Sequence, residues 1–239
     1  MRRSQFSKSL FCVFVLASRV MSPQSSASES GAAEVRLHIV PSEPGKSRAV
    51  PAVMWLEAEA GTSSLPYSPH KQYTLLQKNR MFVPHLQVIP VGAVVQFPNA
   101  DPFFHNVFSL FDGKRFDLGL YEAGSTKSVT FSREGVSYIF CNIHPEMSAV
   151  VIALSTPLYA IADPSNSFIL RGVPPGDYSL HVWIEGVQPS LLEEKTRHVH
   201  IASDKVDLGQ IVAPISRDGI MSHANKFGKP YTPVPQSIY

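Results

Sequence analysis

The chain has 239 residues, with 21 Lys+Arg against 19 Asp+Glu and a formal net charge of +2. Nothing in that near-neutral balance points to nucleic acid, and 2 Cys exclude a disulfide-dense scaffold. The 20 Pro and 14 Gly divide the chain into short apolar runs with no long helical period, which is an all-β pattern.

The N-terminus comes first. Arg2, Arg3 and Lys8 precede a short apolar run at 10–17, and Ser25, Ser26 and Ala27 offer a small-residue cleavage site. Residues 1–27 therefore read as an export signal, and the protein is expected to be periplasmic or secreted. The apolar run is too short to span a bilayer, so no stable membrane insertion is expected. Without residues 1–27 the chain keeps 17 Lys+Arg, 19 Asp+Glu and one cysteine, Cys141. A lone thiol in an exported protein needs a role.

Val35, Leu37 and Ile39 alternate with polar residues, as in a half-buried strand, and a second strand is expected over 52–56. Residues 61–71 form a polar, Pro-containing loop. An apolar run over 82–99 leads to Asn99, Asp101 and then His105. Further strands are expected at 116–120, 128–131, 136–140 and 149–153. Between the last two lies Cys141-Asn142-Ile143-His144-Pro145-Glu146-Met147. The implied geometry is strand, tight loop, strand.

A thiolate, an imidazole and a thioether thus follow at three-residue steps. With 9 His and 6 Met in the chain, that spacing after a given Cys arises by chance roughly once in a thousand. The competing reading makes Cys141 a small buried apolar residue, the common fate of a free cysteine. Two His, one Cys and a weak axial Met make a blue-copper electron-transfer site. Soft sulfur suits Cu(I), and imidazole suits either oxidation state. His105 must come from a distant strand, so the fold sets the geometry. Phe103, Phe104, Phe108 and Phe111 are expected around His105 as an apolar shell that limits water access.

A second small sandwich is expected to begin near Ser155. Residues 158–162, a turn at 163–166 and residues 168–170 read as a hairpin, in which Asn166 tolerates the left-handed conformation. Strands over 179–184, 196–201 and 206–211 complete a small antiparallel set. His198 and His200 share one strand face. They are either a metal pair awaiting a third ligand or an exposed polar face with Val199 and Ile201 turned inward, and the second is expected. His85 is expected as a surface histidine. The Pro-rich tail from 215 to 239 is expected to be extended.

Two resemblances follow from these residues. Phe82, Pro84, Leu86, Val88, Gly92, Val95, Phe97 and Asn99 match the F-x-P-x-x-[IL]-x-V-x-x-G-x-x-V-x-F-x-N run of plastocyanin-like cupredoxins. The C-x-x-H-P-x-M loop is similar to that of amicyanins. The resemblance implies a Greek-key β-sandwich and one type 1 copper held by His105, Cys141, His144 and Met147. It also implies that Asn106 braces the ligand loop. Ile143 and Asn142 depart from the Pro and the Thr or Ser usual there. The run from Asp163 through Gly172-Val173-Pro174-Pro175-Gly176 to Tyr178 resembles carboxypeptidase-regulatory-like, transthyretin-type sandwiches.

The sequence reading is therefore an all-β protein with an export signal (1–27), a cupredoxin unit (34–155), a transthyretin-like sandwich (156–214) and a tail (215–239). Its expected work is to carry single electrons between redox partner proteins, with no enzymatic activity, because four protein ligands leave no open position. The alternatives are a copper carrier without redox turnover, or a secreted binding module with a vestigial site.

Overall fold

The computed structural model describes residues 31–42, 49–69, 71–110, 113–215 and 225–231. The expected export signal, with Cys12, and Phe111 lie outside the described residues. Two strands come first, β1 (Ala33–Pro41) and β2 (Ala52–Ala58). Next are β3 (Tyr73–Thr74), β4 (Leu76–Lys78), β5 (Met81–Val83), β6 (Leu86–Pro90) and β7 (Val94–Pro98). The ligand-bearing stretch holds β8 (His105–Ser109), β9 (Phe116–Tyr121), β10 (Thr126–Thr130), β11 (Gly135–Phe140) and β12 (Ser148–Leu154). The chain continues with β13 (Tyr159–Ile161), β14 (Ser167–Val173), β15 (Gly176–Ile184), a one-turn helix α1 (Pro189–Glu193), β16 (Arg197–Ile201) and β17 (Lys205–Ala213). The all-β expectation holds.

These strands build two sandwiches. In the first, the sheet β6-β12-β11-β8-β9 and the sheet β10-β7-β3 enclose Ile89, Val95, Phe97, Val107, Phe131, Ile139 and Val151. In the second, β14-β1-β17 and β13-β2-β15-β16 enclose Val35, Leu37, Ile39, Leu56, Phe168 and Leu180. Strand periodicity explains the filling, because alternate side chains point to opposite faces.

The expected unit over 34–155 is corrected by the pairing. β1 lies between β14 and β17, with Val35 opposite Leu170 and Val206. β2 lies between β13 and β15, with Met54 opposite Ala160 and Val182. Both early strands therefore belong with the late ones, and the ligand-bearing strands sit between them in sequence. Alternation shows that a strand has an inner face; it does not show which sheet receives it. Two smaller expectations fail for the same reason. β13 and β14 are not a hairpin, because β13 pairs with β2 and β14 with β1. The turn between them, closed by Asp163 N–H to the Ser167 carbonyl at 2.9 Å, carries the chain from one sheet to the other. β17 is not part of an antiparallel set, since it runs parallel to β1. Asn166 does adopt φ +62°, and its side-chain oxygen accepts the Val50 N–H at 3.0 Å.

The two sandwiches share a boundary. All seven residues of β12 are buried. Ala149, Val151 and Ala153 face the first core, and Val150, Ile152 and Leu154 face the second. Trp183 on β15 donates its indole N–H to the Tyr138 hydroxyl on β11 at 3.2 Å. His85 bridges Ser148 O at 3.1 Å and Glu185 Oε1 at 2.7 Å. It is thus a partly buried tie between the sandwiches, not a free surface residue. No helix among the described residues is long and apolar enough to cross a membrane.

Candidate metal centre

Strand alternation aims the site. On β8, His105 and Val107 point into the first core. On β11, Ile139 points the same way, and Cys141, two residues on, keeps that face. Met147 precedes Ala149 by two residues and joins the same cluster. The 141–147 loop is closed by its own backbone. Cys141 N–H donates to Met147 O, and Met147 N–H donates to His144 O, each at 3.1 Å. This loop therefore continues the β11–β12 ladder, which ends at Phe140 opposite Ser148.

Three of the four expected ligands converge. Cys141 Sγ lies 3.7 Å from His105 Nδ1 and 3.5 Å from His144 Nδ1. His105, Cys141 and His144 are the group among the described residues able to hold a metal ion. Metal bonds of about 2.0 Å to imidazole nitrogen and about 2.3 Å to thiolate sulfur place N and S roughly 3.5–3.7 Å apart for angles between tetrahedral and trigonal. The observed spacings meet that requirement. His105, Cys141 and Met147 have no solvent exposure, whereas His144 is partly exposed.

The charges also fit a cation. Burial pushes the Cys141 thiol up, although the backbone N–H groups of Asn106, Ile143 and His144 oppose that rise. A thiolate persists in such a place only with a positive partner, and a coordinated metal deprotonates a thiol outright. Burial, with the His105 and Arg80 charges, pulls His144 down to about 4, so it is neutral and its lone pair is free near pH 7. A donor set of one buried cysteine sulfur, two imidazoles and a buried thioether on the same face matches copper.

A residue that the sequence reading left without a role completes the site. Asp101 Oδ2 lies 2.8 Å from His105 Nε2, and both are buried. Burial alone would raise this carboxyl. The Arg80 N–H, the His105 ring and the Asn79 N–H outweigh it and hold Asp101 below the usual carboxylate range. An ionised acceptor requires Nε2 to carry the proton, which leaves the Nδ1 lone pair toward Cys141. Asn99 anchors the turn, accepting the Asp101 N–H at 3.0 Å and donating to Phe103 O at 2.8 Å. The only sequence signal was an Asp four residues before a ligand His, which also reads as an ordinary turn residue.

The surrounding expectations divide. Phe103 packs at 5.3 Å from the His105 ring and 5.6 Å from the His144 ring. Phe104 is 55% exposed, and Phe108 points to the other face, against Phe140. Asn106 is buried beside His105, and its side chain donates to Asp117 Oδ1 at 2.8 Å. His198 and His200 lie on an exposed face, paired with Glu59 at 2.9 Å and Asp177 at 2.6 Å. Val199 and Ile201 turn inward, as the polar-face reading expects.

No family model matches the chain, and no curated protein matches it. Among solved structures it is similar to a novel purple cupredoxin from Nitrosopumilus maritimus, at 27% identity over 35% of this chain and 98% of that one, with a TM-score of 0.31. It is similar to amicyanin from Paracoccus versutus, at 23% identity over 39% of this chain and 94% of that one, TM-score 0.33. A copper-containing nitrite reductase from Thermus scotoductus SA-01 is 22% identical over 49% of this chain, TM-score 0.34, and the match spans 28% of that enzyme. Fold and site together define a protein of two β-sandwiches with a His–Cys–His cluster, buried but for His144, able to hold a metal.

Proposed function

We propose that this chain is an exported copper protein that carries single electrons between redox partner proteins. The observation that carries the reading is Cys141 Sγ at 3.5 and 3.7 Å from two imidazole Nδ1 atoms in a buried pocket. His105, Cys141 and His144 would hold one copper, and Met147 would supply a weak thioether donor. Bound copper supplies a one-electron Cu(I)/Cu(II) couple. The chain's residues do the rest. Closure of the 141–147 loop by its own backbone limits rearrangement between oxidation states. Phe103 and the buried core exclude water. His144, partly exposed on that loop, is the route to a partner. Support for export comes from residues 2–27 and from a single buried free thiol among the described residues.

The test is the visible spectrum of the copper-loaded protein. An intense thiolate-to-Cu(II) band that bleaches with a mild reductant is expected, and Cys141→Ser should abolish it. A colourless copper complex that hands its metal rapidly to an acceptor would instead identify a copper carrier.

A further inference from the structure

The C-terminal segment returns to the ligand loop. Residues 225–231 build a turn of their own. Asn225 Oδ1 accepts the N–H groups of Phe227 at 2.9 Å and Lys229 at 3.1 Å, and Gly228, at φ +72°, donates to Asn225 O at 2.8 Å. This turn touches the 141–147 loop at two points. Lys226 N–H donates to Asn142 Oδ1 at 2.9 Å. The Tyr231 hydroxyl donates to Cys141 O at 2.7 Å. A third anchor is Lys226 Nζ on Asp117 Oδ2 at 2.7 Å. Asp117 Oδ1 in turn accepts from Asn106 Nδ2, and Asn106 follows His105 directly on β8. Two routes thus run from the tail to the site, one to Cys141 and Asn142 on the ligand loop and one through Asp117 to the residue beside His105.

We propose that residues 225–231 are a strap across the ligand loop, and that Lys226 and Tyr231 are positioning residues that hold Cys141 in place for the metal. The inference rests on the copper reading above. It gives Asn142 a specific task, since its amide oxygen reaches the strap. It also makes metal release a two-part event, because the strap must lift before Cys141 can move outward with its loop. Each anchor hydrogen bond holds the closed state by a factor of roughly five.

The experiment uses the full chain carrying Tyr231→Phe, Lys226→Met or Lys226→Arg. In the metal-free protein, alkylation of Cys141 by iodoacetamide is followed at its peptide by mass spectrometry, which separates it from Cys12. In the copper-loaded protein, extraction by a chelator and the position of the visible band are followed. Tyr231→Phe and Lys226→Met should each raise both rates about fivefold and shift the band, while Lys226→Arg restores the original behaviour. Rates and band unchanged in Tyr231→Phe and Lys226→Met would overturn the strap. The two readings fail separately. A blue protein with unresponsive rates removes the strap alone. A parent protein that binds no copper removes the electron-carrier reading, while the alkylation rates still decide the strap.

Discussion

His105 is held from both ends of its ring, with Nε2 2.8 Å from Asp101 Oδ2 and Nδ1 3.7 Å from Cys141 Sγ. The carboxylate fixes the tautomer, and its negative charge makes the imidazole a stronger donor toward Cu(II). Asp101→Asn should therefore weaken copper binding by roughly 10–100-fold and raise the reduction potential. Competition against a chelator of known affinity, with voltammetry, checks both. Unchanged affinity and potential would leave Asp101 as a turn residue only.

Met147 is wholly buried on the face that carries Cys141. A thioether favours Cu(I), whereas an amide oxygen favours Cu(II). Met147→Gln should retain copper and lower the potential, by about 59 mV for each tenfold change in relative affinity. A potential that stays level or rises would place Met147 outside the coordination sphere.

The shared sheet gives a stability prediction. Ile152 faces the second core and points away from the metal. Ile152→Ala should cost about 2–5 kcal/mol and leave the visible band in place. Because β12 is buried on both faces, the whole protein should melt in one transition, and copper at about a thousand times its Kd should raise its stability by roughly 4 kcal/mol. A chain of residues 34–155 should be insoluble, since β1 and β2 lose their partners and Val150, Ile152 and Leu154 lose their cover. Calorimetry of the full chain and solubility of the shortened one decide the matter; two separate transitions would contradict it.

The His85–Glu185 tie gives a pH dependence. The Glu185 hydrogen bond raises His85 above its ordinary 6.5, against the opposing effect of burial. A raised folded-state value means that the tie is complete below about pH 6.5 and fades as pH climbs through the folded value. The pair is partly solvated, so its worth is below about 1 kcal/mol. Melting temperatures should fall slightly across that window in the parent protein and less so in Glu185→Gln. Equal slopes in both would assign the fall to another group.

Some of this was legible in the residues. Spacing alone marked Cys141, His144 and Met147, because a tight loop between paired strands fixes where each side chain points. The strand at 149–153 was visible as an unbroken apolar run, and that lack of alternation already signals burial on both faces. What the sequence withheld was long-range choice. Val35, Leu37 and Ile39 announce an inner face, but any sheet edge with matching register satisfies that pattern. Asp101 and Tyr231 were hidden differently. Asp101 accepts from Asn79, Arg80 and His105, and the Tyr231 hydroxyl reaches Cys141 O; isolated hydrogen bonds of this kind leave no period to read. The Pro-rich character of the tail suggested extension and gave no hint of what its Lys and Tyr would meet.

The pairing of β1 with β14 and β17 sets an order of assembly. Val50 must find Asn166, 116 residues further along, and a translating ribosome releases the first long before the second. Strands whose partners are so remote fold late, because closing the intervening chain costs entropy before any contact rewards it. Here the intervening residues are the ligand-bearing sandwich itself. Once it has collapsed, its two ends, entering after β2 and leaving at β12, are held together, and the remaining closure is short. The segment that holds the metal would therefore also act as the template on which the flanking strands meet.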